Sequence, residues 1–432
     1  MLDIKFIREN KDIIANAAKK KHIDFNVGEL VDVDEKRRFL MAGIEKRRAE
    51  QNQANDKIVH AATDEERNRL IDDMKEVKKA LENDNESLNE IMKQWQLLML
   101  KAPNIPDISV PEGKTEEDNK EIRVWGKKPV YTFETKNHME LMTAHDLADF
   151  ERGVKVSGFR GYFLKNEAAL MTHGLWDMAV KMLIAKGYTP MIVPSMVKKE
   201  MLLGSGYLPH GEDDLYHNQD NEYYGGTAEV AAMGFYSDEI IPREKLPIKI
   251  AAFSPCFRRE AGSHGKDTKG LIRVHEFFKV EQLILAEASH EVSEKFHEEL
   301  TANAEELMQM IGLPYRVIIQ CGGEMGLPHV KTYDIETWMP AEGKYRETHS
   351  SSYYHDFQSR RLGIRYLDAD GKKKYVYSLN STMVATPRTI AAIIENNQEP
   401  DGTINIPEAL AAYVGKKIIG TKQRVPRDTI HE

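Results

Sequence analysis

The chain has 432 residues, 41% hydrophobic and 30% charged, with a net charge of -9. That is enough for roughly two or three domains and a sizeable core. The two cysteines, Cys256 and Cys321, exclude a disulfide framework and a four-cysteine zinc site and make a reducing, cytoplasmic setting the simplest expectation. No run of about 18 apolar residues occurs, so no membrane span or membrane partner is expected. The mixed-charge start MLDIKFIRENKDII also lacks the apolar core of a secretory signal.

The first proline is Pro103, and only Gly28 and Gly43 interrupt what precedes it, which predicts an all-helical N-terminal region. Leu70, Met74, Val77, Leu81, Leu88, Ile91, Trp95 and Leu98 keep a four-three spacing, the seam of a coiled coil, with Asp84 at the one polar seam position. A second stripe, Val33, Leu40, Ile44, Ala54 and Ile58, is interrupted by Arg47 and Gln51. Between the stripes, Thr63 with Glu66 three residues later reads as a helix N-cap. An antiparallel helical hairpin follows, with a reach of roughly 40–50 Å at about 1.5 Å per residue. Two basic triads, Lys36-Arg37-Arg38 and Lys46-Arg47-Arg48, form either a solvated face or a phosphate-binding stripe.

The proline- and acid-rich segment KAPNIPDISVPEGKTEEDNK reads as a linker. The expected organisation is a helical arm at 1–105, with its coiled coil at about 30–100, a linker at 106–125, a second domain at 126–420 and a polar tail at 421–432. In the second domain, HGLWDMAVKMLIAKG predicts a helix, whereas IKIAAFSPCF, EFFKVEQLILA and YRVIIQ predict strands. The fold class is therefore α+β, with helices around a central, largely antiparallel sheet.

The most informative block is FSPCFRREAGSHGKDTKGLIRVHEFFKVE, from Phe253 to Glu281. Arg258 and Glu260 alternate on the first strand-like end; Arg273, Phe277 and Glu281 recur every fourth residue on the second, so each set is expected on one face. Guanidinium groups suit phosphate oxygens, an aromatic plate suits a base, and carboxylates suit a metal or an amine.

FRxE, a loop and RxxxFxxxE resemble motif 2 of the class II aminoacyl-tRNA synthetases, and the longer string is similar specifically to the seryl-tRNA synthetase family of bacterial type. GYTPMIVP, from Gly187 to Pro194, resembles motif 1, which builds a dimer interface. SLNSTMVATPRTIAAIIENN resembles motif 3, with Arg388 at a helix start, although its Asn-Ser-Thr and Thr-Pro-Arg replace a glycine-richer run found in many members. The resemblance extends over nearly the whole chain, from MLDIKFIREN through VPEGKTEEDN to INIPEAL.

That resemblance implies ATP-dependent activation of L-serine to seryl-adenylate and its transfer to the 3' end of tRNA-Ser, with tRNA-Sec as a further substrate to consider. It assigns Arg258, Glu260 and Arg388 to catalysis. Serine falls to Thr227, Ala228, Glu229, Arg258, Glu281, Asn380 and Thr382. ATP falls to Arg258, Arg259, Glu260, Arg273, Val274, Phe277, Glu347, Thr348, His349, Ser350 and Arg388, and Mg²⁺ with the ATP phosphates to Glu347 and Ser350. The coiled-coil arm would hold the long variable arm of tRNA-Ser, and a homodimer is expected. Zinc is not: the pattern of members that use it for the serine amine is missing, and HSSSYYH, carrying His349 and His355, lacks supporting ligands. Two rivals, a ligase for a carrier protein and an inactive RNA-binding paralogue, fit poorly, because the arm and all the motif arginines and carboxylates are present.

Overall fold

The structure, a computed structural model, describes residues 1–262, 265 and 267–420. The expected tail at 421–432 and three positions of the motif 2 loop (Ser263, His264 and Lys266) lie outside the described residues. Two compact units result, Met1–Ile105 and Pro106–Glu432.

In the first unit, helices α1 (Ile4–Glu9) and α2 (Lys11–Lys20) precede two long helices, α3 (Val27–Val59) and α4 (Asp64–Lys101). The latter pair is roughly 50 and 57 Å long at about 1.5 Å per residue. Each starts on a side-chain cap: Asn26 Oδ1 accepts from Glu29 N, and Thr63 Oγ1 from Glu66 N, both at 3.2 Å. The seam is where the spacing puts it. Ile44, Ala54 and Leu81 are buried, and Leu70, Met74, Val77, Leu88, Ile91, Trp95 and Leu98 are half-buried. The polar interruptions meet each other, because Arg47 of α3 forms an ion pair with Asp84 of α4. At the base of the hairpin, Ile7, Ile14, Leu30, Val31, Met99 and Ala102 form a small core. Beside it, the fully buried Asp34 is neutralised by Arg8 at 2.6 Å and Arg37 at 2.8 Å.

The second unit is built on an eight-stranded sheet. Its strands are β1 (Lys120–Trp125), β2 (Thr189–Ile192), β3 (Ile248–Phe257), β4 (Glu276–Ala286), β5 (Tyr315–Ile319), β6 (Lys331–Met339), β7 (Lys344–His355) and β8 (Tyr377–Ala385). They lie in the order β1-β5-β6-β7-β8-β4-β3-β2, and each pair is antiparallel except β2–β3. The sheet is thus mixed at one edge rather than wholly antiparallel. Strand β1 also lies within the span expected as linker: EIRVW alternates weakly, but its backbone pairs with β5 and closes the opposite edge.

Helices α5 (Asn166–Ala185), α6 (His290–Met310) and α7 (Thr386–Asn396) cover one face of this sheet. Met171 and Leu175 of α5, Leu300 and Leu307 of α6, and Ile390 and Ile394 of α7 pack with Val280, Ile284, Val317, Ile335 and Leu379 of the strands. Each such side chain, fully buried, contributes about 1.5–3 kcal/mol. Period-two alternation sends the intervening residues to the other face, where polar groups gather. Both cysteines are buried and free. Among the described residues, no helix is long and apolar enough to cross a membrane.

Candidate active site

The open face of the sheet carries a polar cleft. Its walls are Arg258, Glu260, Arg273, Val274, Phe277, Lys279, Glu347, Thr348, Thr382 and Arg388, with Leu271, Ile272, Ala385 and Pro387. The motif 2 strands deliver the first of these. β3 and β4 pair in register through Phe257 and Glu276, and Arg258 N donates to His275 O at 2.9 Å. Alternation does not extend further, however. β3 ends at Phe257, and Glu260 takes a left-handed backbone with φ 55°, so Arg258 and Glu260 do not share a strand face as expected. Arg273 precedes β4 and reaches the cleft from the loop; only Phe277 and Glu281 keep the expected common face.

Ion pairs order this loop. Arg273 stands 3.1 Å from Glu260 and 3.2 Å from Asp267, and Asp267 is also 2.7 Å from Arg346. Burial raises the Asp267 carboxyl, but Arg346 and Arg273 outweigh it and hold the group below its ordinary value. The buried Arg160 also approaches Glu260 at 3.8 Å. The Arg258 guanidinium lies 5.4 Å from the centre of the Phe277 ring, within cation–π range.

Arg388 sits at the first turn of α7, where Pro387 pre-sets the helical backbone and gives up no hydrogen bond. Its Nε donates to Ile272 O at 2.9 Å and its Nη1 to Glu347 O at 2.7 Å, with the Glu347 carboxylate 3.2 Å away. Glu347 is about half exposed to solvent, and its surroundings raise its carboxyl, yet Arg388 and Arg258 win and keep it ionised. Next to it on β7, Thr348 is the bulged residue opposite β6, and its hydroxyl bonds Thr337 Oγ1 at 2.8 Å.

His349 is placed differently from the ATP contact expected for it. The ring is buried, with Nδ1 2.8 Å from Thr348 Oγ1, and burial pushes its pKa down to about 4, so it is neutral at pH 7 and stands behind the cleft wall. Arg259 likewise turns to solvent, with its N–H donating to Asp214 O at 2.9 Å. Ser350 is half-buried and pairs with Asp334 across β6–β7. Burial first, then the nearby Glu347 charge, raises the Asp334 carboxyl well above its usual range, and its Oδ1 has no hydrogen-bond partner. Two carboxyl groups that repel each other, with the Ser350 hydroxyl beside them, suit a hard cation bound with phosphates.

Beyond Thr382 the cleft continues into a buried polar cluster. Lys279 Nζ is 2.6 Å from Glu281 Oε2 and donates to Thr227 Oγ1 at 2.8 Å, while Thr382 Oγ1 donates to Glu281 at 3.3 Å. Glu229, fully buried behind the buried Ala228, accepts from Tyr207 Oη at 2.9 Å and Gln358 Nε2 at 2.6 Å. Burial, opposed by these donors and supported by the Glu281 charge, lifts its pKa to about 7. Asn380 Oδ1 accepts from Tyr354 Oη at 2.9 Å.

Sequence reasoning passed over Lys279, Tyr207, Gln358, Tyr354 and Asp334. Lys279 had a signal, since it lies midway between Phe277 and Glu281 on the same strand face. Tyr207 and Gln358 had none, because they reach Glu229 from 22 and 129 residues away in the chain.

A larger cavity of about 640 Å³ lies beside this cleft, lined by Phe159, Phe163, Trp176, Phe257 and Phe278 among others. It is chiefly aromatic, and it lacks the convergent charges of the cleft.

Comparison with known proteins agrees with this architecture. Residues 1–106 match the seryl-tRNA synthetase N-terminal domain, and residues 213–397 match the class II tRNA synthetase core domain (G, H, P, S and T). The serine–tRNA ligase of Deinococcus radiodurans is 43% identical over 98% of this chain and 100% of its own length. That of Treponema denticola is 38% identical over 97% and 100%. Among solved structures, seryl-tRNA synthetase from Pyrococcus horikoshii complexed with ATP superposes with a TM-score of 0.91 at 39% identity, covering 97% of this chain and 99% of that one. The cytoplasmic enzyme from Naegleria fowleri in complex with AMP gives a TM-score of 0.86 at 29% identity, covering 98% and 99%. With both domains matched and full-length relatives at this identity, the chain belongs to the seryl-tRNA synthetase family.

Proposed function

We propose that the chain is a serine–tRNA ligase whose cleft binds ATP and L-serine, forms seryl-adenylate and transfers the seryl group to tRNA-Ser. The observation that carries this reading is the continuity between two groups of side chains. An Arg258–Phe277–Glu347–Arg388 cleft suited to a nucleotide runs directly into the Thr227–Lys279–Glu281–Thr382 cluster suited to a small amino acid.

Adenylation needs no general base. The serine carboxylate attacks the α-phosphate in line, and pyrophosphate leaves. The protein supplies alignment and charge neutralisation through Arg258 and Arg388, with the adenine against Phe277. Glu347 and Ser350, next to the partnerless Asp334 oxygen, would hold Mg²⁺, which neutralises phosphate charge when bound. Glu281 and Glu229 take the serine ammonium and hydroxyl, and Arg258 its carboxylate. The terminal tRNA ribose hydroxyl then attacks the seryl carbonyl, and AMP departs.

The arm divides its basic triads in a way that suits RNA. The central residue of each is engaged within the arm, Arg37 with Asp34 and Arg47 with Asp84, while Lys36, Arg38, Lys46 and Arg48 are exposed. These exposed cations would track the phosphate backbone of the variable arm. A second copy of the chain would cover the apolar motif 1 edge, where Ile192 is 86% and Met196 47% exposed.

Charging of tRNA-Ser by the quadruple variant Lys36→Glu/Arg38→Glu/Lys46→Glu/Arg48→Glu tests the RNA half of the proposal. The expected result is a fall in kcat/KM for tRNA of at least about 10²-fold at low salt, narrowing as salt rises because fewer phosphate contacts give a shallower salt dependence, with amino-acid activation unchanged. Undiminished charging would overturn the arm's assignment.

A further inference from the structure

Three side chains converge on the helix-covered side of β7. Successive strand residues point to opposite faces: Tyr354 donates to Asn380 in the serine-binding cluster, whereas Tyr353 donates to Asp107 Oδ2 at 3.1 Å. Facing Asp107 are His290 and Glu294, one turn apart at the start of α6. His290 Nε2 lies 3.5 Å from Asp107 Oδ2 and 3.7 Å from Glu294 Oε2, and the ligand atoms of all three lie within 4.8 Å of one another.

Those separations are too long for good N–H···O hydrogen bonds, which run about 2.7–3.2 Å. The two distances from His290 Nε2 are close to the edge of a coordination tetrahedron instead, because metal–ligand bonds of about 2.0–2.1 Å set neighbouring ligands roughly 3.3 Å apart; the group as a whole, spread within 4.8 Å, would draw in on binding. The ligands are also held from behind. Asp107 Oδ1 accepts from Ser109 N at 2.8 Å and Ser109 Oγ at 2.5 Å, leaving Oδ2 directed at the gap. His290 Nδ1 is 3.3 Å from His355 Nε2. His355 Nε2 is placed to accept the Nδ1 proton of His290. The lone pair of His290 Nε2 then faces the carboxylates, the arrangement by which an outer partner orients a metal-bound imidazole. The positive charge of Lys331 near Asp107 repels an incoming cation and tempers the affinity.

We propose that Asp107, His290 and Glu294 bind a divalent transition-metal ion of the zinc type, with His355 fixing the imidazole. One nitrogen and two oxygen donors favour such an ion over Mg²⁺ or Ca²⁺, which prefer oxygen alone. Solvent would complete the coordination, since His290 and Glu294 are each about half exposed. The ion would pin the chain before β1 to α6 and β7, on the opposite side of the sheet from the Mg²⁺–ATP groups.

The full-length chain, stripped with a chelator and titrated with Co²⁺ and then Zn²⁺ without ATP, tests this. The expected result is one equivalent of Co²⁺ with the visible absorption of a four- or five-coordinate ion, displaced by Zn²⁺. His290→Gln and the exposed Glu294→Gln should each weaken binding at least about 10-fold, and His355→Gln by about 10–100-fold. Glu291→Gln, on the same helix, should bind as the parent does. Absence of the band in the parent chain, or equal binding by His290→Gln and Glu294→Gln, would overturn the proposal and leave an imidazole held between two carboxylates.

Discussion

Lys279 Nζ stands 2.6 Å from Glu281 Oε2, and both side chains are almost completely buried. The carboxylate that would meet serine is therefore paired, in a buried pocket, with a lysine from its own strand, two residues away. Lys279→Met removes the cation and leaves Glu281 buried without a charged partner. The expected loss of stability is about 3–5 kcal/mol, read by urea unfolding. Serine-dependent kcat/KM should fall about 100-fold, with ATP affinity little changed. An unfolding midpoint and serine kinetics equal to the parent's would refute this role.

Glu229 gives the pocket a pH dependence. Its pKa of about 7 lies above the ordinary carboxyl value of 4.5, chiefly from burial. Only the ionised form attracts the serine ammonium or accepts from its hydroxyl. KM for serine should therefore rise as pH falls through about 7, and Glu229→Gln should flatten this limb while raising KM throughout. A serine KM independent of pH between 6 and 8 in the parent chain counts against this assignment.

Three buried histidines set the acid limit of stability. His297, His349 and His355 each have a pKa lowered from 6.5 to about 4, first by desolvation. Between those values the unfolded chain binds more protons than the folded one, so stability falls as pH drops from 6.5 toward 4. From pH 7 to 5 each histidine removes about 2 kcal/mol. Glu229 and Asp334 act the other way, because a raised carboxyl pKa gives stability that is complete below the unfolded value and lost as pH rises, for Glu229 from 4.5 through about 7. Three histidines outweigh the two carboxyls, so urea midpoints should decline between pH 7 and 5, and less so in His297→Gln.

The Arg47–Asp84 pair holds the register of the arm at the cost of apolar contact in the seam. Asp84→Leu alone leaves Arg47 facing an apolar seam and should lower the melting temperature of the arm's transition. Arg47→Leu/Asp84→Leu should restore or exceed the parent value, because replacing an ion pair by packed hydrophobic residues is often neutral or stabilising by about 1–4 kcal/mol. Differential scanning calorimetry of the three full-length proteins distinguishes the outcomes.

The same pair shows what the sequence discloses. Heptad spacing locates both long helices, and the polar breaks at Arg47 and Asp84 are visible as breaks; their meeting depends on the hairpin register, which spacing alone does not fix. In the second unit the strands Ile248–Phe257 and Glu276–Ala286 are legible from their apolar runs, because both are buried strands of the central sheet. Lys120–Trp125 is not legible, since an edge strand with mostly exposed side chains is defined by backbone pairing. In the cleft, Arg258, Phe277, Glu347 and Arg388 follow from motif resemblance. The left-handed turn at Glu260 and the partners of Glu229 arise from long-range packing that no local pattern carries.

Serine-dependent ATP–pyrophosphate exchange, run with Mg²⁺ and without tRNA, tests the central claim most directly. Exchange with serine is predicted, with alanine and glycine disfavoured by roughly 10⁴-fold because their missing hydroxyl leaves buried polar groups unpaired, and threonine excluded by size. Exchange with no amino acid, or comparable exchange with alanine, would contradict the account.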